Sequence, residues 1–232
     1  MEMIKPKITI ITPSVRKDGL ELVKKALSRQ TLPRYLYEWI VQERVGELPT
    51  DCVWTLNRDM NTAIKKAQGE LIISWQDYTY AKPDALEKFW FHYKQNPKAV
   101  ISGVGNKYED SSFKVITWQD PREITTNTFY TCPPQQIEFN FCSIPKAAFY
   151  DIGGYDEELD KWFGMDGISI VDRLNLIGGY EFKLDQTNKS YSLEHGRLPD
   201  WEEKNAIHGP YMNRQKDYLL KPILNYLLQT PL

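Results

Sequence analysis

The sequence predicts an α/β protein built on a doubly wound, mostly parallel sheet. Two observations carry this expectation. Ile8, Thr9, Ile10, Ile11 and Thr12 form an apolar, β-branched run with no polar alternation, and Leu71, Ile72, Ile73, Ser74 and Trp75 form a second. Strands of this kind need cover on both faces, as parallel sheets have. Between the strand-like runs lie stretches with apolar residues at helical spacing, so residues 8–104 read as β-α-β-α-β-α-β.

The elements follow in order. Pro13 ends the first strand, and Asp18 is expected to cap a helix whose inner stripe is Leu20, Val23, Ala26 and Leu27. A second strand is expected over 37–41. Met60, Ala63, Ile64 and Ala67 mark a second helix, with Gly69 as its terminator. The third strand is 71–75. Pro83 opens a helix facing inward through Leu86, Phe89, Trp90 and Tyr93, and 99–104 is a fourth strand. Residues 106–136 are polar and broken by prolines, a length of irregular chain that in compact domains usually serves function, often as a lid. Strand-like runs recur at 113–118 and 137–144. Ile170, Val171, Leu174 and Ile177 then mark a helix ended by Gly178. One domain is expected over 1–199, with a helical tail over 200–232 packed on it.

Composition narrows the function. A formal net charge of −2 offers no general attraction to nucleic acid or anionic membrane. No apolar run approaches the roughly 18 residues that span a bilayer, and residues 1–7 lack the apolar core of a signal peptide. Three scattered cysteines, Cys52, Cys132 and Cys142, suggest neither a disulfide framework nor a zinc site. A cytoplasmic location is expected.

In an open parallel sheet the ligand lies beyond the carboxyl ends of the strands. There the sequence places Pro13, Ser14 and Arg16 after the first strand, Gln42, Glu43 and Arg44 after the second, and Gln76, Asp77 and Tyr78 after the third. No GxGxxG or GxxxxGK[ST] loop occurs, which argues against dinucleotide and P-loop enzymes. A diphosphate in this cleft needs another source of positive charge. A divalent metal on Asp77 would supply it.

These elements resemble the family 2 glycosyltransferases of GT-A fold over roughly residues 7–196. The resemblance runs through Pro13-Ser14 after the first strand, Gln30, Glu43, Arg58 with Asn61, Ala67-Gln68-Gly69-Glu70 and the triplet Gln76-Asp77-Tyr78. It continues through Ile152-Gly153-Gly154-Tyr155-Asp156-Glu157, Gly164-Met165-Asp166-Gly167 and Arg173-Leu174. It implies a nucleoside diphosphate sugar donor (UDP-linked) held by Pro13, Ser14, Arg16, Glu43, Arg58, Asn61, Gln76 and Asp77. It implies Mn²⁺ or Mg²⁺ on Asp77 and His195, and transfer to an acceptor hydroxyl with inversion. Two positions depart from the pattern: the metal triplet keeps one carboxylate, and the family's Glu-Asp pair is reduced to Asp166-Gly167.

Asp166 suits two roles, the base that takes the acceptor's proton and the N-cap of the following helix. His195 reads equally as a metal ligand and as a surface histidine. Trp162, beside Gly164 and Met165, is the aromatic best placed to stack on an acceptor sugar, although aromatics more often pack in cores. Carbohydrate is the expected acceptor, and basic residues after 196 keep a nucleic acid open. A sugar nucleotidyltransferase and a non-catalytic nucleotide- or sugar-binding relic are the alternatives.

Overall fold

The structure, a computed structural model, describes residues 5–14, 17–44, 47–124, 126, 128–196 and 201–203. Arg16 and nearly all of the expected tail lie outside the described residues. The chain runs β1 (Ile8–Pro13), α1 (Lys17–Leu27), β2 (Tyr37–Gln42), α2 (Leu56–Lys66), β3 (Leu71–Trp75), β4 (Thr79–Ala81), α3 (Ala85–Gln95) and β5 (Ala99–Tyr108). It continues through β6 (Ile116–Trp118), β7 (Phe129–Thr131), β8 (Phe141–Pro145), α4 (Lys146–Asp151), α5 (Asp166–Ile177) and β9 (Glu181–Leu193).

The expected α/β fold is present. The sheet order is β2-β1-β3-β8-β5-β9-β4, with β6 on β5 and β7 on β9. β1 pairs in parallel with both β2 and β3. Ile8, Ile10, Leu71 and Ile73 face α1 and α3, while Ile11 and Ile72 face α2, α4 and α5. All six are fully buried, so each contributes roughly 1.5–3 kcal/mol by leaving water. That two-sided cover is why the strands carry no alternation.

The βαβ pattern does not anticipate what separates β3 from β5. β8 enters between them and is antiparallel to both. β9, a 13-residue strand with no sequence signal of its own, runs parallel to β5. Three local expectations are corrected. Asp18 lies inside the first turn of α1 rather than before it. Gly69 does not end α2, which leaves the helix at Ala67 in extended conformation; Gly69 instead lets the chain pass β1, because a Cβ there would sit 2.5 Å from the Thr9 nitrogen. The stretch after 105 is less irregular than expected, since β5 continues to Tyr108. Gly178 does terminate α5, with φ of 75°.

Polar side chains bind the two halves together. Gln30 at the end of α1 donates to the Lys82 carbonyl and accepts from the Leu86 amide at the start of α3. The carboxylate of Asp160, fully buried, sits under the N-terminus of α2. It accepts from the Asn57 amide at 2.8 Å, the Asn57 side chain at 3.0 Å and the Arg58 amide at 3.3 Å, and the Arg58 Nε lies 3.6 Å away. Burial raises this carboxyl above the usual range, while the Asn57 donors and Arg58 oppose the rise. The helix N-terminus adds favourable partial charge. Asp160→Ala leaves several inward donors without an acceptor and should cost about 3 kcal/mol of stability. Urea denaturation should show a lowered midpoint with an unchanged slope.

Candidate functional site

The parallel order β2-β1-β3 creates a switch point between β1 and β3, and the first polar residues after these two strands meet there. Ser14 donates its amide to the Gln42 carbonyl at 3.1 Å, and its hydroxyl to Asp77 Oδ2 at 3.1 Å. Asp77 is buried. The triplet is a turn closed by Thr79 N donating to the Gln76 carbonyl, and the Trp75 indole braces it by donating to the Thr79 carbonyl at 2.7 Å. Pro13 is the last residue of β1, opposite Gln42. Glu43 follows β2 with its side chain exposed.

The end of β9 returns to this edge. Leu193 N donates to the Tyr78 carbonyl, and the rings of Tyr78 and His195 lie 4.1 Å apart, centre to centre. Asp77 and His195, the two expected metal ligands, are therefore both held around Tyr78. Among the described residues no three of His, Cys, Asp or Glu group to hold an ion. A carboxylate and an imidazole suit Mn²⁺, with the oxygens of a diphosphate left to supply the rest of its shell.

Arg58 and Asn61 lie against the segment after α4. Asn61 donates to the Tyr155 carbonyl and to Glu157, and accepts from the Tyr155 amide at 2.7 Å. Gly154 has φ of 78°, and a Cβ there would lie 2.6 Å from Asn61 Oδ1, so both backbone conformation and close approach demand glycine. Arg173, fully buried, holds the same turn by donating to the carbonyls of Ile152 and Gly154. Asp156 accepts from the Glu158 amide to cap the short turn at Glu157–Lys161.

That segment leads to Asp166. Trp162 is half-buried at the end of the turn, and Phe163 stacks on Trp201. Gly164 and Met165 then take φ of 85° and 67°. Met165, not Asp166, is the N-cap residue of α5, so of the two roles the sequence leaves open for Asp166 the N-cap position is not the one it occupies. A left-handed methionine costs of order 1 kcal/mol, and such strain gathers at functional sites. Here it turns the chain so that Asp166 opens the helix. Burial pushes the Asp166 carboxyl up to about 6, against the pull of its own amide and that of Gly167.

The segment before β8 joins the two sides. The Asn140 carbonyl accepts from Gln76 N at 3.0 Å, and its side chain accepts from the Tyr78 hydroxyl at 3.2 Å. The ring of Phe139 covers Gly167 so closely that a Cβ there would lie 2.5 Å from it. Asp77 and Asp166 thus stand on either side of Phe139-Asn140, at one end of the sheet. Asp160 carries no sequence signal for this role, Arg173 enters the sequence reading only through the Arg173-Leu174 motif, and Asn140 only as part of the strand-like run 137–144.

No protein-family model matches the chain, and no curated protein matches it. Solved structures do. The chain is similar to Staphylococcus aureus TarS 1–349 in complex with UDP, with a TM-score of 0.63 and 12% identity over 97% of this chain and 67% of that one. TarS in complex with UDP-GlcNAc gives 0.62 and 13% over 95% and 72%. GalNAc-T7 with UDP, GalNAc and Mn²⁺ gives 0.61 and 12% over 98% of this chain and 48% of that one. At these identities the likeness shows the fold, which is GT-A-like.

The raised Asp166 carboxyl has a consequence for stability. A carboxyl whose folded pKa exceeds its unfolded value binds more protons in the folded state, so its stabilisation is full near pH 4 and is lost as pH rises through about 6. Asp166→Asn should be more stable than the parent at pH 8, by on the order of 2 kcal/mol, and equal to it at pH 4. Chemical denaturation at the two pH values measures the difference.

Proposed function

We propose that this chain is a glycosyltransferase that moves a sugar from a UDP-linked donor to the hydroxyl of a carbohydrate acceptor, with inversion. The observation that carries the reading is a desolvated carboxyl with a pKa of about 6, across Phe139-Asn140 from the Ser14–Asp77 pair. A base poised near neutral pH suits removal of a proton from a hydroxyl. The fold's likeness to structures holding UDP, UDP-GlcNAc or UDP with Mn²⁺ supports the donor.

In this scheme the acceptor oxygen loses its proton to Asp166 and attacks the anomeric carbon from the face opposite the diphosphate. The bond to the diphosphate breaks as the new glycosidic bond forms, so a single displacement inverts the centre. Pro13, Ser14, Glu43 and Gln76 would contact the donor, joined by Arg16, which lies outside the described residues, and Asp77 with His195 would hold a divalent ion. That ion, when bound, neutralises the departing diphosphate. Arg58 and Asn61, expected to bind the nucleotide, are assigned to positioning instead, because their contacts to Asp160, Tyr155 and Glu157 hold the chain that leads to Asp166. Trp162, Gly164 and Met165 lie on the acceptor side. Among the described residues no helix is long and apolar enough to cross a membrane, and the free cysteines suit a reducing, cytoplasmic setting.

Two tests address the reading. UDP should raise the thermal midpoint, and Mn²⁺ should add to that rise because the ion and the diphosphate complete each other's contacts. Asp77→Asn should abolish the Mn²⁺ increment; a UDP affinity indifferent to EDTA in the parent would remove the metal from the mechanism. For the base, Asp166→Asn should lower kcat by roughly 10²–10⁴ while leaving UDP affinity unchanged. The parent's kcat/KM should climb with pH through about 6. Near-normal turnover by the folded variant would exclude Asp166.

A further inference from the structure

A second cavity, of about 280 Å³, opens between β5, β6 and β9. Its walls follow from strand periodicity. Gly103, Gly105 and Lys107 share one face of β5. Trp118 of β6 pairs directly with Lys107, and Ser190 and Ser192 of β9 stand beside Gly105 and Lys107. The two glycines keep this face thin, for a Cβ on Gly105 would lie 2.1 Å from Ser190 Oγ and one on Gly103 2.2 Å from the Asn188 carbonyl oxygen. Glu138, Asn140 and Phe141 also line it.

The charges in this cavity differ in kind. Arg122 also lines it, but it is a wall. Its Nε and Nη2 hold the buried Asp120, and its Nη1 donates to the Gln136 carbonyl. Lys107 and Glu138 line the same space with opposite charge, yet no ion pair within 4.0 Å closes between them. Trp118 stays 43% exposed, which offers an aromatic face rather than a packed core ring.

We propose that this cavity is a carbohydrate subsite. A neutral sugar ring of the acceptor lies on Trp118, and its hydroxyls bridge Lys107 and Glu138, with Asn140, Ser190 and Ser192 completing the contacts. A hydroxyl both donates and accepts, so it satisfies a lysine and a carboxylate together, as neither a simple anion nor an apolar group does. Few convergent polar groups around an aromatic surface are the usual make-up of a small-molecule site. The position fits the acceptor, because Asn140 touches the donor triplet and its neighbour Phe139 covers Gly167. Assigning the ring to the acceptor rests on the transferase reading above; the sugar site itself does not.

The experiment titrates glucose, galactose, N-acetylglucosamine and N-acetylgalactosamine into the protein with UDP and Mn²⁺ present, following saturation-transfer NMR. The affinity for UDP is measured separately by calorimetry. At least one sugar should bind saturably, and Trp118→Ala and Glu138→Gln should each weaken it on the order of tenfold without altering UDP affinity. Glu138→Gln keeps shape and so decides the matter if Trp118→Ala is unstable. Sugar binding that is absent in the parent, or unchanged in the folded variants, overturns the subsite. If UDP still binds, only this inference falls. If UDP fails to bind while a sugar binds through Trp118, the subsite stands and the donor assignment falls.

Discussion

The buried carboxylate of Asp160 is the constraint on which the site depends. A full negative charge with no exposure to solvent survives only where donors surround it, and the first turn of α2 supplies them with its Asn57 and Arg58 amides, the Asn57 side chain and the Arg58 guanidinium. The Asp160 carbonyl then accepts from the amides of Val53 and Trp54, so the loop entering α2 is tied to the same residue. Since Asp160 lies six residues before Asp166, fixing it fixes the approach of the chain to that carboxyl. Asn61 and Arg173 grip the preceding turn at Tyr155, Ile152 and Gly154. Helix α2, whose apolar stripe packs beneath β1 and β3, thereby carries the rigidity of the sheet into the segment that leads to Asp166.

The two carboxylates of the site face opposite demands. Asp77 is buried but accepts from Ser14, at the edge where β1 and β3 end. Asp166 is desolvated by the protein around it and relieved only by its own amide and that of Gly167, so its charged form is disfavoured. Left-handed Met165 adds backbone strain at the same place. A carboxyl pushed up to about 6 beside a left-handed methionine is a costly arrangement, of the kind that gathers at functional sites.

The strand β8 gives the site its bridge. Because it enters antiparallel between β3 and β5, its first residues lie at the same sheet edge as the last residues of β3. Phe139 and Asn140 are delivered there between the Gln76-Asp77-Tyr78 turn and α5. The long pairing of β5 with β9, extending to Tyr108 and Leu193, then supplies the floor of the second cavity and returns His195 to Tyr78.

The apolar, β-branched strands and helical stripes by themselves determined the α/β class, because burial on two faces leaves a continuous hydrophobic run that can be read directly. They also determined which residues end the strands, and so Ser14 and Asp77. Asp166 was legible through the Gly-Met-Asp turn before an apolar-striped helix, but its role as N-cap was not the one the backbone adopts. Local pattern could not show β8 between β3 and β5, nor β9, since pairing partners lie far apart in the chain and strand order is set by packing across the whole sheet. Nor could it reveal Asp160, Arg173, Asn140 or the Lys107–Glu138 cavity. Their meaning lies in long-range contacts and in desolvation, and neither exists until the chain has folded.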